Sequence, residues 1–112
     1  MIKSLAIDVG GTNTDIYYLE EITKPYELIK SYPSKKNISD LITFLAKIIF
    51  EYNPLDVLIG LPGPVDNIKE SSVFCPPLGY SVDYKAIYDI NSKIRISSIV
   101  TAAYTTPKLI KL

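Results

Sequence analysis

Asp8, Gly10, Gly11, Thr12, Asn13 and Thr14 fall together in "LAIDVGGTNTDIYYLE", residues 5 to 20. Two adjacent glycines let backbone N–H groups approach phosphate oxygens, and the hydroxyl and amide side chains that follow add donors. Asp8, at the end of an apolar run, could hold Mg²⁺ directly or through water. Gly10-Gly11 is expected to supply positive φ angles or a close backbone approach. The same residues also fit an ordinary hairpin in which the glycines serve geometry and Asp8 caps the turn. A second candidate is "PGPVD", residues 62 to 66. Pro62 and Pro64 fix φ and Gly63 turns sharply, so this rigid loop can shape a pocket beside the first turn, or be merely structural. Asp66, which ends it, is a candidate to converge with Asp8.

Composition removes several other chemistries. There is no histidine and one cysteine, so the usual zinc sets are missing and Cys75 has no imidazole to activate it. Cys75 reads as a small buried apolar residue, and a reducing cytoplasm suits it. Twelve basic residues balance twelve acidic ones, leaving no broad field for nucleic acid or an anionic membrane. No run of about 18 apolar residues and no secretory leader pattern is present. At 112 residues the chain is expected to be one domain, too small for a two-lobed cleft.

The elements that must position these residues are readable from periodicity. "KSLAIDV" (3–9), "TDIYYLE" (14–20) and "YELIKSY" (26–32) read as three antiparallel strands in succession, with Pro25 marking a turn or an edge. From Asn37 to Tyr52 the period becomes helical. Ile38, Leu41, Ile42, Leu45, Ile49 and Tyr52 share one face, with Asp40, Thr43, Lys47 and Glu51 opposite. Asn37 is the expected N-cap, and "NP" at 53–54 ends the helix. "LDVLIG" (55–60) is expected to return parallel to the first strand. Residues 61 to 80, rich in proline, read as an ordered loop with a short hairpin around "SSVF". A short helix over 83–91, begun by Asp83, and a strand over 94–100 complete an α/β unit with a mixed five-stranded sheet and flanking helices.

The opening stretch resembles the first phosphate motif of the actin, sugar kinase and Hsp70 superfamily. It is similar to two branches: the ROK sugar kinases and repressors, and the hydantoinase and oxoprolinase group, matched through Thr12-Asn13-Thr14-Asp15. "IGLPGPVDNIKESSVFCPPLGYSVDYKAI", residues 59 to 87, decides for ROK. It resembles that family's strand running into a Pro-Gly-Pro turn, then an apolar-Pro pair before a short helix. The resemblance covers about half of the chain. It implies a ribonuclease-H-like fold, one actin-like ATPase lobe, with ATP and Mg²⁺ as cofactors and the proline loop beside a sugar.

One departure changes that expectation. ROK kinases carry Glu-Asn-Asp-x-Asn-Ala-Ala after the short helix, the aspartate being the general base. Here "SSIVTAA" (97–103) falls in its place, so that Ala102 and Ala103 match the alanine pair and Ile99 takes the base position. Ser98 precedes it and Thr101 stands at the second asparagine. Isoleucine accepts no proton, and residues 92 to 112 contain no Asp or Glu. The family's zinc cluster, second phosphate loop and adenosine segment have no counterpart in these residues. Two functions follow: a lobe that kept the fold and lost catalysis, covering its apolar wall by dimerising, or half of a split kinase or ATPase completed by a partner chain. A ribonuclease-H-like nuclease built on Asp8 and Asp66 is a third, weaker reading.

Overall fold

In the computed structural model, residues 2–21, 24–62 and 72–98 are described. Three strands open the chain: β1 (Ser4–Val9), β2 (Asn13–Leu19) and β3 (Glu27–Pro33). Helix α1 (Ile38–Tyr52) and strand β4 (Asp56–Leu61) follow. A two-stranded hairpin, β5 (Ser72–Cys75) with β6 (Tyr80–Asp83), leads into α2 (Tyr84–Tyr88) and β7 (Ile94–Ser98). The main sheet has the order β3-β2-β1-β4-β7. β1 pairs antiparallel with β2 and β2 with β3, whereas β4 runs parallel to β1 and β7 parallel to β4. The mixed five-stranded sheet expected from the sequence is therefore present.

Alternation along the strands divides the sheet into two faces. Leu5, Ile7 and Val9 of β1 join Val57, Ile59 and Leu61 of β4 in one apolar cluster with Leu41, Phe44, Leu45, Ile48 and Ile49 of α1. Tyr84 and Ile87 of α2 close the same cluster. On the other face Ala6 and Tyr17 pack with Tyr26 and Leu58. Ser4, Ala6 and Asp8 all lie buried on that side.

Helix α1 begins where expected. The Asn37 side chain accepts from the Asp40 N–H at 2.8 Å, while its amide donates to the Asp40 carboxylate at 3.1 Å. Asn53 ends the helix in the left-handed region, φ 45°, and donates its N–H to Ile49 O at 2.9 Å. The buried face is displaced from the expected one. Phe44 and Ile48 are buried, while Ile38, Ile42 and Tyr52 are only partly covered. Phe44 meets the Tyr32 ring edge-on at 5.1 Å, so α1 leans toward β3. Helix α2 is shorter than the expected 83–91, because Ile90 N–H turns back to Ile87 O and tightens its end. The hairpin around "SSVF" is real, and its second strand runs directly into the Asp83 cap of α2.

Candidate functional site

The candidate site lies at the sheet edge where β1 and β4 end. β1 runs Leu5 to Val9 without a charged side chain except Asp8, which register places opposite Asp15 of β2 and Gly60 of β4. Register extends this row to Ser31 of β3 and Ser97 of β7. Opposed residues share a face, so Asp8 lies between a second carboxylate and a residue with no side chain. Ser31 donates to the Asp15 carboxylate at 2.5 Å. Asp8 is 4% exposed and has no hydrogen-bond donor among the described residues. Burial, and then the nearby Asp15, push its carboxyl up to about 6. Near neutral pH Asp8 is thus mainly an anion in a desolvated position, with no donor to it among the described residues.

The turn after it is held by its own backbone and by Ser34. Gly10 N–H donates to Asn13 O at 2.9 Å, closing the hairpin. Ser34 N–H donates to Thr12 O at 2.9 Å, and its hydroxyl donates to Gly10 O at 2.5 Å. That hydroxyl has one proton, so its 3.0 Å contact with the buried Thr14 hydroxyl has Thr14 as donor. Thr14 therefore braces the turn from within, while Gly11, Thr12 and Asn13 are exposed. Among the described residues the N–H groups of Gly11 and Thr12 find no acceptor.

Neither glycine of the pair takes a positive φ; Gly79 does, at 80°. Close approach is what requires them. A Cβ on Gly10 would stand 2.8 Å from Asn13 O, and one on Gly11 would stand 2.8 Å from Pro77 O. Pro77 belongs to the tip of the β5–β6 hairpin, which closes against the opening turn. Tyr80 of that hairpin also donates to Lys35 O at 3.3 Å.

Pro62 follows β4 at this same edge, two residues beyond Gly60. Gly63, Pro64 and Asp66 lie outside the described residues, as do Ile99, Thr101, Ala102 and Ala103. Ser31, Ser34 and Pro77 also belong to this edge, and of the three only Pro77 carries a local sequence signal, the "CPPLG" turn. Cys75 is buried and its thiol is pushed up by burial, as expected of an inert core residue. Among the described residues, no group of three His, Cys, Asp or Glu could hold a metal.

No protein-family model matches the chain, and no curated protein matches it by sequence. Solved structures do. A ROK family protein from Streptococcus pneumoniae in complex with sucrose is similar with a TM-score of 0.69 at 19% identity, over 91% of this chain and 36% of that one. A glucokinase from an Antarctic psychrotroph gives 0.60 at 14% identity, over 89% of this chain and 33% of the other. Thermus thermophilus RuvC in complex with a Holliday junction substrate gives 0.52 at 11% identity, covering 92% and 69%. The chain spans about a third of the length of the first two. At these identities the likeness shows the fold, a mixed sheet with flanking helices of the ribonuclease-H-like, actin-ATPase type, and nothing finer.

Proposed function

We propose that this chain is a ROK-like N-terminal lobe that keeps a phosphate-type turn and has no kinase catalysis of its own. The observation behind this reading is a buried Asp8 with no donor among the described residues, beside a braced turn whose Gly11 and Thr12 N–H groups have no acceptor among them. A phosphate on those N–H groups would be repelled by Asp8 unless a divalent cation lay between them. The residues fit Mg²⁺ on that ground: Asp8 would hold it directly or through water, while the N–H groups of Gly11 and Thr12, with the Thr12 and Asn13 side chains, would meet the phosphate oxygens. Bound Mg²⁺ would supply charge neutralisation of the phosphate. Gly10 would hold the turn closed and Thr14 would fix its orientation through Ser34. Pro62, Gly63, Pro64 and Asp66 remain the proposed small-molecule loop beside it. Isoleucine at the family's base position is the reason to assign no phosphoryl transfer to the lone chain.

The second lobe would come from a partner chain, which gives the split kinase or ATPase as the second reading. Its support is the share of the ROK structures that this chain spans. Among the described residues no helix is long and apolar enough to cross a membrane, and a reducing cytoplasm goes with the free Cys75. A nuclease reading has the RuvC likeness behind it but lacks a third carboxylate among the described residues. Calorimetric titration with Mg-ATP, on the chain alone and mixed with a candidate second-lobe chain, separates these readings. Mg-dependent binding without sugar phosphorylation is expected of the chain alone. Phosphorylation that appears only in the mixture would favour the split enzyme, and absence of heat in every combination would remove both.

A further inference from the structure

We propose that the β5–β6 hairpin clamps the opening turn into the shape that receives phosphate, with Tyr80 as the positioning residue. The hairpin is itself fixed from the core. Cys75 and Val82 are buried in the main apolar cluster, and β6 runs on into the Asp83 cap of α2. Its tip is closed by the N–H groups of Leu78 and Gly79, which both donate to Cys75 O at 2.9 Å. By contrast the tip of the opening turn is exposed at Gly11, Thr12 and Asn13. Where an element anchored in the core meets an exposed one, the anchored element sets the geometry.

They meet at Gly11 and again beyond β3. At Gly11, Pro77 O lies so close that a Cβ would stand 2.8 Å from it. Beyond β3 the contact is made by Tyr80. Register sets Tyr80 opposite Cys75, so its ring packs against the core while its hydroxyl donates to Lys35 O at 3.3 Å. Lys35 is held by α1 as well, its Nζ lying 5.1 Å from the centre of the Phe44 ring. Ser34, its neighbour in the chain, donates its N–H to Thr12 O and its hydroxyl to Gly10 O. Gly10 O and Gly11 N–H belong to one planar peptide unit, so fixing the first aims the second. Tyr80 thus sets the direction of a donor in the turn through Lys35 and Ser34. That the donor receives phosphate rests on the function proposed above, whereas the clamp does not.

Amide hydrogen exchange on the ligand-free chain tests the clamp by itself. Tyr80→Phe keeps the ring and removes the hydroxyl. Exchange at Ser34 N–H and Gly10 N–H is expected to quicken by roughly threefold to tenfold, the range of one lost hydrogen bond. Ile59 N–H, at the centre of the sheet between β1 and β7, should keep its rate. A merely structural role would destabilise the whole chain and quicken Ile59 too. Gly11→Ala, which forces Pro77 away, should also quicken Ser34 N–H. Combined with Tyr80→Phe it should give less than the product of the separate effects, since both open one clamp.

Titration with Mg-ATP reads the ligand side, where Tyr80→Phe is expected to raise the dissociation constant by a similar factor. An unchanged rate at Ser34 N–H, a uniform quickening, or a full product in the double variant would overturn the clamp. An unchanged dissociation constant would overturn Tyr80 as the residue that positions the donor. If neither protein binds Mg-ATP, the phosphate reading falls, and the exchange rates still decide the clamp.

Discussion

Strand β1 buries alternate residues on two faces of one sheet, and the two faces are made differently. Leu5, Ile7 and Val9 enter a continuous apolar cluster under α1 and α2, while Ser4, Ala6 and Asp8 face a smaller group around Tyr17, Tyr26 and Leu58. Ser4 meets the Tyr26 hydroxyl at 2.8 Å, so its polarity is satisfied. Asp8 has no such partner among the described residues, and burial, then the nearby Asp15, push its carboxyl up. One face of β1 is built for stability. At Asp8 the other carries a charge that works against it, the pattern expected where a residue is kept for what it binds.

The largest effect should come from moving a carboxylate across the strand. Ile7→Asp would place a charge in the fully apolar cluster, and a loss of more than about 4 kcal/mol, seen as absence of a cooperative urea transition, is expected. Asp8→Asn should act in the opposite direction. With a folded pKa of about 6 against 3.8 for the free group, native Asp8 holds its proton more tightly than the unfolded chain does. Its contribution to stability is therefore greatest below about pH 4 and declines as pH rises through 6. Asn removes that loss, so the variant should be more stable than wild type by about 1–3 kcal/mol at pH 7 and equal to it near pH 3.5. Urea denaturation at both pH values checks the sign.

A smaller effect should separate the turn from both faces. Ser34→Ala leaves the buried Thr14 hydroxyl without its acceptor and Gly10 O without its donor, a loss of about 1–2 kcal/mol by thermal unfolding. Adding Thr14→Val should recover part of it, because the orphaned hydroxyl is then gone. If Ser34→Ala changes nothing, the turn is held by its backbone contacts alone.

How far the sequence revealed this arrangement follows from the range of the forces involved. The strands, α1 with its Asn37 cap, and the parallel return of β4 were legible because period and capping are local signals. The buried face of α1 was legible only in part. Phe44 and Ile48 are buried because α1 leans on Tyr32 and the sheet, a tertiary choice that helical spacing alone does not make. Gly10-Gly11 was legible as a turn, but the reason for Gly11 lay in Pro77, sixty-six positions away and brought near by the hairpin. Ser34 was invisible for the same reason: nothing in "SYPSKK" announces a brace until β3 pairs with β2. The Asp8 motif and its place on a buried strand were visible; that no described residue donates to it was not.

The most direct test of whether Asp8 is retained for a ligand compares melting temperatures of wild type and Asp8→Asn with and without saturating Mg-ATP. Without ligand at pH 7, Asp8→Asn should melt higher. With ligand the wild type should rise by the linkage of binding to folding while the variant stays where it was, narrowing or reversing the difference. Equal rises in both proteins, or none in either, would contradict the assignment of Asp8 and its turn to phosphate.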